Sequence, residues 1–200
     1  MKAWTLFVSL TLAAVGCHCF TRDAAKPPPA ASGPAPTRPG VIALSPANTT
    51  IGFTGSTALA SQSGHFAAFD GTLEVPTDDP KDLKARVAVD MASTTTNIGL
   101  LTRHLKAEDF FDVATYPQSE FALETVTPTA EPGQYQVAGQ LTLRGIRKAI
   151  SFPARIAVTP DEVSFDATIP LHQSEFGMIE AAKKTKDEVP VTVAIRGRRR

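Results

Sequence analysis

The feature that most constrains the fold of this 200-residue chain is an alternation of apolar and polar residues in seven segments after residue 41. Successive side chains of a β-strand point to opposite faces, so a period of two is typical of strands with one buried face. The apolar positions are Ile51 and Phe53; Val87, Val89 and Met91; Phe121 and Leu123; Tyr135, Val137, Leu141 and Leu143; Ile150, Phe152, Ala154, Ile156 and Val158; Val163, Phe165, Ala167 and Ile169; and Val189, Val191, Val193 and Ile195.

Turn-forming residues separate these segments. Glu131-Pro132-Gly133, Arg144-Gly145 and Pro160-Asp161 lie between consecutive stripes, and such residues favour tight reversals of the chain. Seven or more short strands in close succession predict an all-β, antiparallel fold. The pattern itself is compatible with a sandwich and with a closed barrel.

One stretch departs from the period of two. Residues 97–109 carry Ile98, Leu101 and Leu105 at helical spacing, which predicts one short helix with Thr96 or Asn97 as its cap. In a barrel, such a helix either covers one end or crosses over the outside. The sequence leaves both positions open.

Residues 1–16 have the composition of a signal peptide. Lys2 supplies a positive start, and the uncharged apolar run that follows is shorter than the roughly 20 residues that span a bilayer. The segment Ala14-Val15-Gly16-Cys17 resembles the lipobox of bacterial lipoproteins, which implies an acylated Cys17 as membrane anchor. His18 stands where an inner-membrane retention signal has Asp. We therefore expect export, either to the periplasmic face of the outer membrane or, after ordinary cleavage near Gly16, to the periplasm as a free protein.

The rest of the chain divides into three parts. Residues 17–40, the expected lipidated N-terminus and linker, contain six prolines and no apolar period, which favours an extended tether over a proline-rich recognition peptide. Residues 41–197 form the predicted domain. Residues 198–200 are a basic tail, expected to be either frayed or in contact with anionic lipid.

Charge and cysteine content exclude several classes of function. The formal net charge is zero, whereas nucleic-acid binding requires a basic excess. Both cysteines, Cys17 and Cys19, precede the domain, so the domain contains no internal disulfide, and with His18 they supply too few ligands for zinc. His65, His104 and His172 are too scattered to indicate a metal site, and no Gly-x-Ser-x-Gly motif occurs. The prediction is therefore a protein that is not an enzyme and needs no cofactor.

Several blocks of sequence resemble the YceI-like family. They occur in the family's order from about residue 41 to residue 195. The blocks are Ser45-Pro46-Ala47-Asn48-Thr49-Thr50-Ile51-Gly52-Phe53; Gly64-His65-Phe66 with Phe69 and Gly71; residues 104–113 (HLKAEDFFDV) with Tyr116-Pro117 and Phe121; residues 135–148 (YQVAGQLTLRGIRK); and Ser174-Glu175-Phe176-Gly177.

The resemblance implies an eight-stranded lipocalin-like barrel that binds a polyisoprenoid chain in its interior, as some family members do. The expected partner is an isoprenoid-type lipid or another amphiphile, with a homodimer left open. The alternative is a tethered structural or interaction module whose barrel is packed and empty of ligand. The candidate lining residues are Phe53, Phe66, Phe69, Phe110, Phe111, Phe121, Phe152, Phe165, Phe176 and Met178.

This chain departs from the family pattern at two places. Leu101 and Thr102 stand where the family often has Arg-Asp, and Gln173 stands where it often has Arg or Lys. The departures remove charged groups that could orient a ligand's head or brace the helix. The resemblance therefore implies the barrel more directly than it implies the head group.

Overall fold

The alternating segments form one continuous antiparallel sheet in a computed structural model that describes residues 40–199. Branched and aromatic residues on one face of each segment are buried in the interior, and polar residues occupy the other face. The strands are β1 (Val41–Leu44), β2 (Thr49–Ser56), β3 (Ser61–Phe66), β4 (Phe69–Glu74), β5 (Lys84–Asp90), β6 (Thr94–Thr96), β7 (Gln118–Pro128), β8 (Gln134–Leu143), β9 (Ile146–Val158), β10 (Glu162–His172) and β11 (Glu188–Arg198).

The sheet closes on itself. Its order is β1-β4-β5-β7-β8-β9-β10-β11-β2-β3-β6, so the last strand of the chain pairs with β2 near its beginning. The chain continues directly from β1 into β2, from β3 into β4 and from β5 into β6. Hydrogen bonds from Ala67 N to Ser93 O (3.3 Å) and from Asp90 N to Ala68 O (3.1 Å) carry the pairing across two of these junctions. β1 and β6 stand at the two ends of this order. Each continues along the chain into a strand, β2 or β5, that is paired on both sides, so the barrel is closed.

The all-β, antiparallel, lipocalin-like fold class is confirmed, but the strand count is eleven instead of eight. The difference arises because three strands of the expected barrel are interrupted. The interruptions are a turn at residues 45–48, a bend at 67–68 and a 3₁₀ turn at Met91–Ser93. Each interruption bends the strand in which it occurs, so two short strands stand where one straight strand was expected.

Within the described residues, two α-helices accompany the sheet, where one helix was predicted. α1 (Gly99–Leu105) is shorter than residues 97–109, and neither Thr96 nor Asn97 caps it, because Ile98 occupies the cap position. Thr96 instead braces the entry to the helix, since its N–H donates to Thr102 Oγ1 at 3.0 Å. α2 (Ile179–Lys184) buries only Ala181, so it has no apolar stripe from which it could be predicted.

The C-terminal arginines are part of the fold as far as Arg199, which corrects the expectation of a frayed tail. β11 extends to Arg198, one residue beyond the expected domain boundary. Arg199 N donates to Asp161 O at 2.8 Å, and its guanidinium bonds to Thr159 O (2.7 Å) and to Asp78. These contacts fasten Arg199 to the β9–β10 turn and to the connection between β4 and β5.

Buried apolar side chains form two clusters inside the barrel. One includes Leu44, Leu73 and Val137, and the other includes Phe53 and Phe176 with residues of α1 and α2. Within residues 40–199, no helix is long and apolar enough to cross a membrane. The predicted signal peptide, Cys17 and the proline-rich linker lie outside the described residues.

Candidate functional site

The inward faces of the strands enclose a cavity of about 300 Å³. Nearly every strand contributes to the cavity wall, because the apolar residues of each alternating segment point into the barrel. Val87, Leu123, Ile169 and Val193 line it and are only half-buried, although all four point into the barrel. Their remaining exposed surface faces the cavity, so the interior is incompletely filled by the protein's own side chains.

The cavity is deep and closed at one end. Along β7 its wall extends from Ser119 to Val126, a distance of roughly 20 Å at about 3.3 Å per residue. At the far end, the wall residues Leu44, Leu83 and Val137 are buried. The result is a long apolar channel with a floor.

The opening lies at the other end of the barrel. Thr57 and Ala60 of the β2–β3 turn and His172 at the end of β10 are exposed members of the wall. We call this end the mouth. Leu59 on the same turn, Leu100 on α1 and Ile179 on α2 are among the large apolar side chains that remain exposed, so the elements around the mouth present apolar surface to solvent.

Three aromatic rings connect the barrel to residues 106–117, which follow α1 at this end and which we call the covering segment. Phe53 of β2 contacts Phe66 of β3 (centroids 5.5 Å apart), and Phe111 lies 6.1 Å from Phe53 and 5.9 Å from Phe66. Such tilted and edge-on pairs are the favoured aromatic geometries. Leu101 and Leu105 of α1 also face the cavity, so the helix lies across part of the mouth and does not cross over the outside of the barrel.

The structure brings nine of the ten predicted lining residues together in the cavity wall. Phe69 is the exception: it is buried at the start of β4 but does not line the cavity. The other nine are Phe53, Phe66, Phe110, Phe111, Phe121, Phe152, Phe165, Phe176 and Met178.

The aromatic selection missed two groups of wall residues. Aliphatic residues such as Val87 and Val191 lie on the same alternating stripes, which could have identified them. Polar residues near the mouth such as Gln62 and Thr185 gave no comparable signal, because they lie at strand ends or in loops. Gln173 had been noted only as a departure from the family pattern.

Charged side chains are absent from the wall among residues 40–199: none of the lining residues is Asp, Glu, Lys or Arg. The interior hydroxyl of Ser119 is satisfied, since its Oγ donates to Thr142 O at 2.9 Å. The remaining polar wall side chains are Ser56, Thr57, Gln62, His172, Gln173 and Thr185, which come from the ends of strands and the loops beside them. The site therefore combines an apolar channel with a rim of polar wall side chains, none of which is Asp, Glu, Lys or Arg.

Asp187 is the charged group that organises one side of the mouth. Its carboxylate accepts hydrogen bonds from Ser174 N and Ser174 Oγ, both at 2.7 Å, and lies 3.5 Å from His172 Nδ1. These bonds from Ser174, with a smaller contribution from His172, hold the pKa of Asp187 below its usual value. Asp187 thus anchors the 3₁₀ turn Gln173–Phe176 to the start of β11.

The other polar candidates form no metal or catalytic constellation. Within the described part of the chain, no three His, Cys, Asp or Glu side chains are placed to hold a metal ion. The exposed His104 ring packs against Phe110, with centroids 4.9 Å apart. Asp109 forms a surface ion pair with Lys184 at 3.1 Å.

Comparison with known proteins gives a consistent family match. The sequence model described as the YceI-like domain matches residues 43–196. Protein YceI of Escherichia coli O157:H7 is 26% identical over 140 residues, which is 67% of this chain and 72% of that protein. Protein YceI of Salmonella arizonae is similar to the same extent.

Solved structures share the fold. BcnA of Burkholderia cenocepacia has a TM-score of 0.67 at 22% identity, covering 74% of this chain and 96% of that one. A domain from Saccharophagus degradans, described as a polyisoprenoid binding domain implicated in plant cell wall breakdown, has a TM-score of 0.65 at 13% identity and covers 82% of this chain and 100% of its own. The YCEI protein of Campylobacter jejuni has a TM-score of 0.59 at 20% identity, with coverages of 68% and 84%.

Proposed function

We propose, starting from the fact that this chain belongs to the YceI-like family, that its barrel binds and shields the tail of an isoprenoid-type lipid in the bacterial envelope. The observation that carries the proposal is the deep, apolar and incompletely filled channel with one open end. The fold it shares with a polyisoprenoid binding domain supports the same ligand class.

The energetics of such a site need little polar recognition. Each buried CH₂ group contributes about 0.8 kcal/mol, so a long tail lying along the channel would be held by burial itself. Half-buried wall residues such as Val191 and Ile169 offer the apolar surface that the tail would cover. A fully packed module would leave no comparable surface inside its barrel.

The role we infer is binding without catalysis. His172 is the titratable side chain of the wall, and it lies at the mouth, away from the depth of the channel. A lipid tail seated in the channel would meet aliphatic and aromatic groups, which offer no acid, base or nucleophile.

A pair of neighbouring substitutions on β11 tests tail binding. Val191 faces the cavity and Thr192 faces solvent, so Val191→Trp obstructs the channel while Thr192→Trp adds the same ring outside. We expect Val191→Trp to weaken the binding of geranylgeraniol at least tenfold, and Thr192→Trp to leave it within about twofold of wild type. Undiminished binding by a folded Val191→Trp protein would contradict a site inside the barrel.

We also propose that the protein is exported and anchored through an acylated Cys17, with the proline-rich linker as a tether. The support is the signal-like composition and the small residues before Cys17. Changing Cys17 to Ser should release the protein from the membrane fraction into the soluble periplasm. Retention of this variant in the membrane fraction would show that another segment provides attachment.

A further inference from the structure

Gln173 is a buried polar side chain in the wall of an apolar channel. The residue is only 6% exposed, and it lies at the mouth, immediately after β10. Burial of an amide is costly unless its donors and acceptor are satisfied. The hydrogen-bond partners of the amide nitrogen and of the amide oxygen therefore indicate which group a bound ligand has to supply.

The nitrogen end of the amide is fully committed to the protein. Nε2 donates to Lys186 O at 2.8 Å and to Thr185 Oγ1 at 2.9 Å. A backbone carbonyl can only accept, so the bond to Lys186 fixes which end of the amide carries the hydrogens. Thr185 Oγ1 in turn donates to Ala181 O at 3.0 Å. This network leaves the amide no free hydrogen for a ligand.

The oxygen end has no such commitment. Within residues 40–199, no donor forms a hydrogen bond with Gln173 Oε1, and every fully covered side-chain polar atom there has a partner. Oε1 therefore retains accessible surface, and because Gln173 is part of the wall, we place that surface on the cavity side. The mouth thus presents a fixed hydrogen-bond acceptor to whatever fills the channel.

We propose that Gln173 Oε1 accepts a hydrogen bond from a hydroxyl on the head of the bound lipid, so that the site selects a neutral isoprenoid alcohol. This inference rests on the proposed binding function and adds the chemistry of the head group. A hydroxyl donates to Oε1, whereas an ether oxygen at the same place has no hydrogen to give. The ether complex would leave both oxygens unpaired.

A phosphate ester fits the same place poorly. The wall contains no Lys or Arg among residues 40–199 to compensate a phosphate charge, and the free amide oxygen would repel it. Burying an uncompensated anion is costly. We therefore expect discrimination by charge as well as by hydrogen bonding.

The test compares three probes with one tail: geranylgeraniol, its methyl ether and its monophosphate, titrated into the wild-type protein. We expect the alcohol to bind about tenfold more tightly than the ether, the factor that corresponds to one buried acceptor left unpaired. The monophosphate should bind more weakly than the alcohol. Equal affinity for alcohol and ether, or tighter binding of the monophosphate, would overturn the proposal while leaving tail binding intact.

Two matched variants locate the effect. Gln173→Met removes the acceptor and should bring the alcohol-to-ether ratio close to one, mainly by weakening the alcohol. Gln118→Met makes the same change at an exposed glutamine that does not line the cavity and should keep the wild-type ratio. If Gln173→Met fails to fold, the ratio in the wild-type protein still decides the proposal. Failure of all three probes to bind would overturn the proposed function and this inference together.

Discussion

Two glycines on the inner face of the barrel give space to the aromatic rings that shape the cavity. A Cβ atom added at Gly64 would collide with the ring of Phe53, and one added at Gly139 would collide with Phe121 and the carbonyl of Ala122. Neither glycine has a positive φ, so their role is close packing and not an unusual backbone conformation.

Substitution of Gly64 by alanine should therefore destabilise the protein by about 1–3 kcal/mol, the usual cost of overpacking. Gly55 on the adjacent strand has open space where its Cβ would lie, so Gly55→Ala should change stability by less than about 0.5 kcal/mol. Urea denaturation of both variants measures the difference. Equal stability of the two would show that Phe53 moves aside without cost.

The period of two predicts which residues face inward only where the strand is regular. Phe121 and Leu123 were assigned to one face correctly, but a bulge between Leu123 and Thr125 shifts the register. Val126 consequently lines the cavity, although strict alternation from Leu123 would have placed Thr125 there. A bulge depends on pairing with the neighbouring strand, so the sequence of β7 does not reveal it.

At the scale of elements, the β8–β9 turn fastens the segment that follows α1. Arg144 and Gly145 both have positive φ, 50° and 70°, which is typical of the two-residue turn that matches strand twist. Arg144 Nη1 donates to Phe110 O at 2.5 Å, and the guanidinium lies 5.8 Å from the centre of the Tyr116 ring. The β8–β9 turn thereby holds the covering segment at Phe110 and Tyr116.

Arg144→Ala should lower the free energy of unfolding by about 1–3 kcal/mol, because it removes a hydrogen bond from a charged donor to a part-buried carbonyl. Arg147→Ala, three residues later on the exposed side, is the control and should have little effect. Thermal unfolding measures both. An Arg144→Ala protein as stable as the control would mean that the segment holds its position without the turn.

The Asp187 contact gives a pH dependence with a defined sign. Since Ser174 lowers the pKa of Asp187 in the folded state, this carboxylate stabilises the fold above its unfolded pKa of about 3.9 and loses that contribution as pH falls through the folded value. Asp187→Asn should be less stable than wild type at pH 7, and the difference in stability should narrow as the pH falls below about 4. Melting temperatures across that range provide the measurement. A constant gap would assign the stabilisation to packing and not to charge.

Elements with a local repeat were predictable, and those without one were not. The seven alternating segments indicated strands because a period of two can be recognised from consecutive residues alone. The breaks near Asn48, Ala67 and Met91 depend on how the ribbon bends around the barrel, so they are not visible in any single stripe. α2 escaped prediction for the related reason that it buries one residue.

For the whole molecule, the alternation of apolar and polar residues predicted which strand faces are buried. It did not predict that the sheet closes into a barrel or that the barrel contains a cavity. Barrel and sandwich differ in whether β11 pairs with β2, a contact between distant parts of the sequence that no local pattern encodes. Four aromatic wall residues lay on the alternating stripes and were therefore visible in advance as inward positions: Phe53, Phe121, Phe152 and Phe165. The grouping of Gln62, Gln173 and Thr185 was not, because these residues come from separate loops and strand ends that only the folded barrel brings to one rim.

The most direct test of the central claim is native mass spectrometry of the full-length protein, purified gently from its own envelope without a delipidating step. The account predicts a species heavier than the protein by the mass of one isoprenoid-type lipid, which organic extraction releases and identifies. Repeated preparations that show only the unliganded mass, together with a crystal structure in which side chains fill the channel, would contradict it.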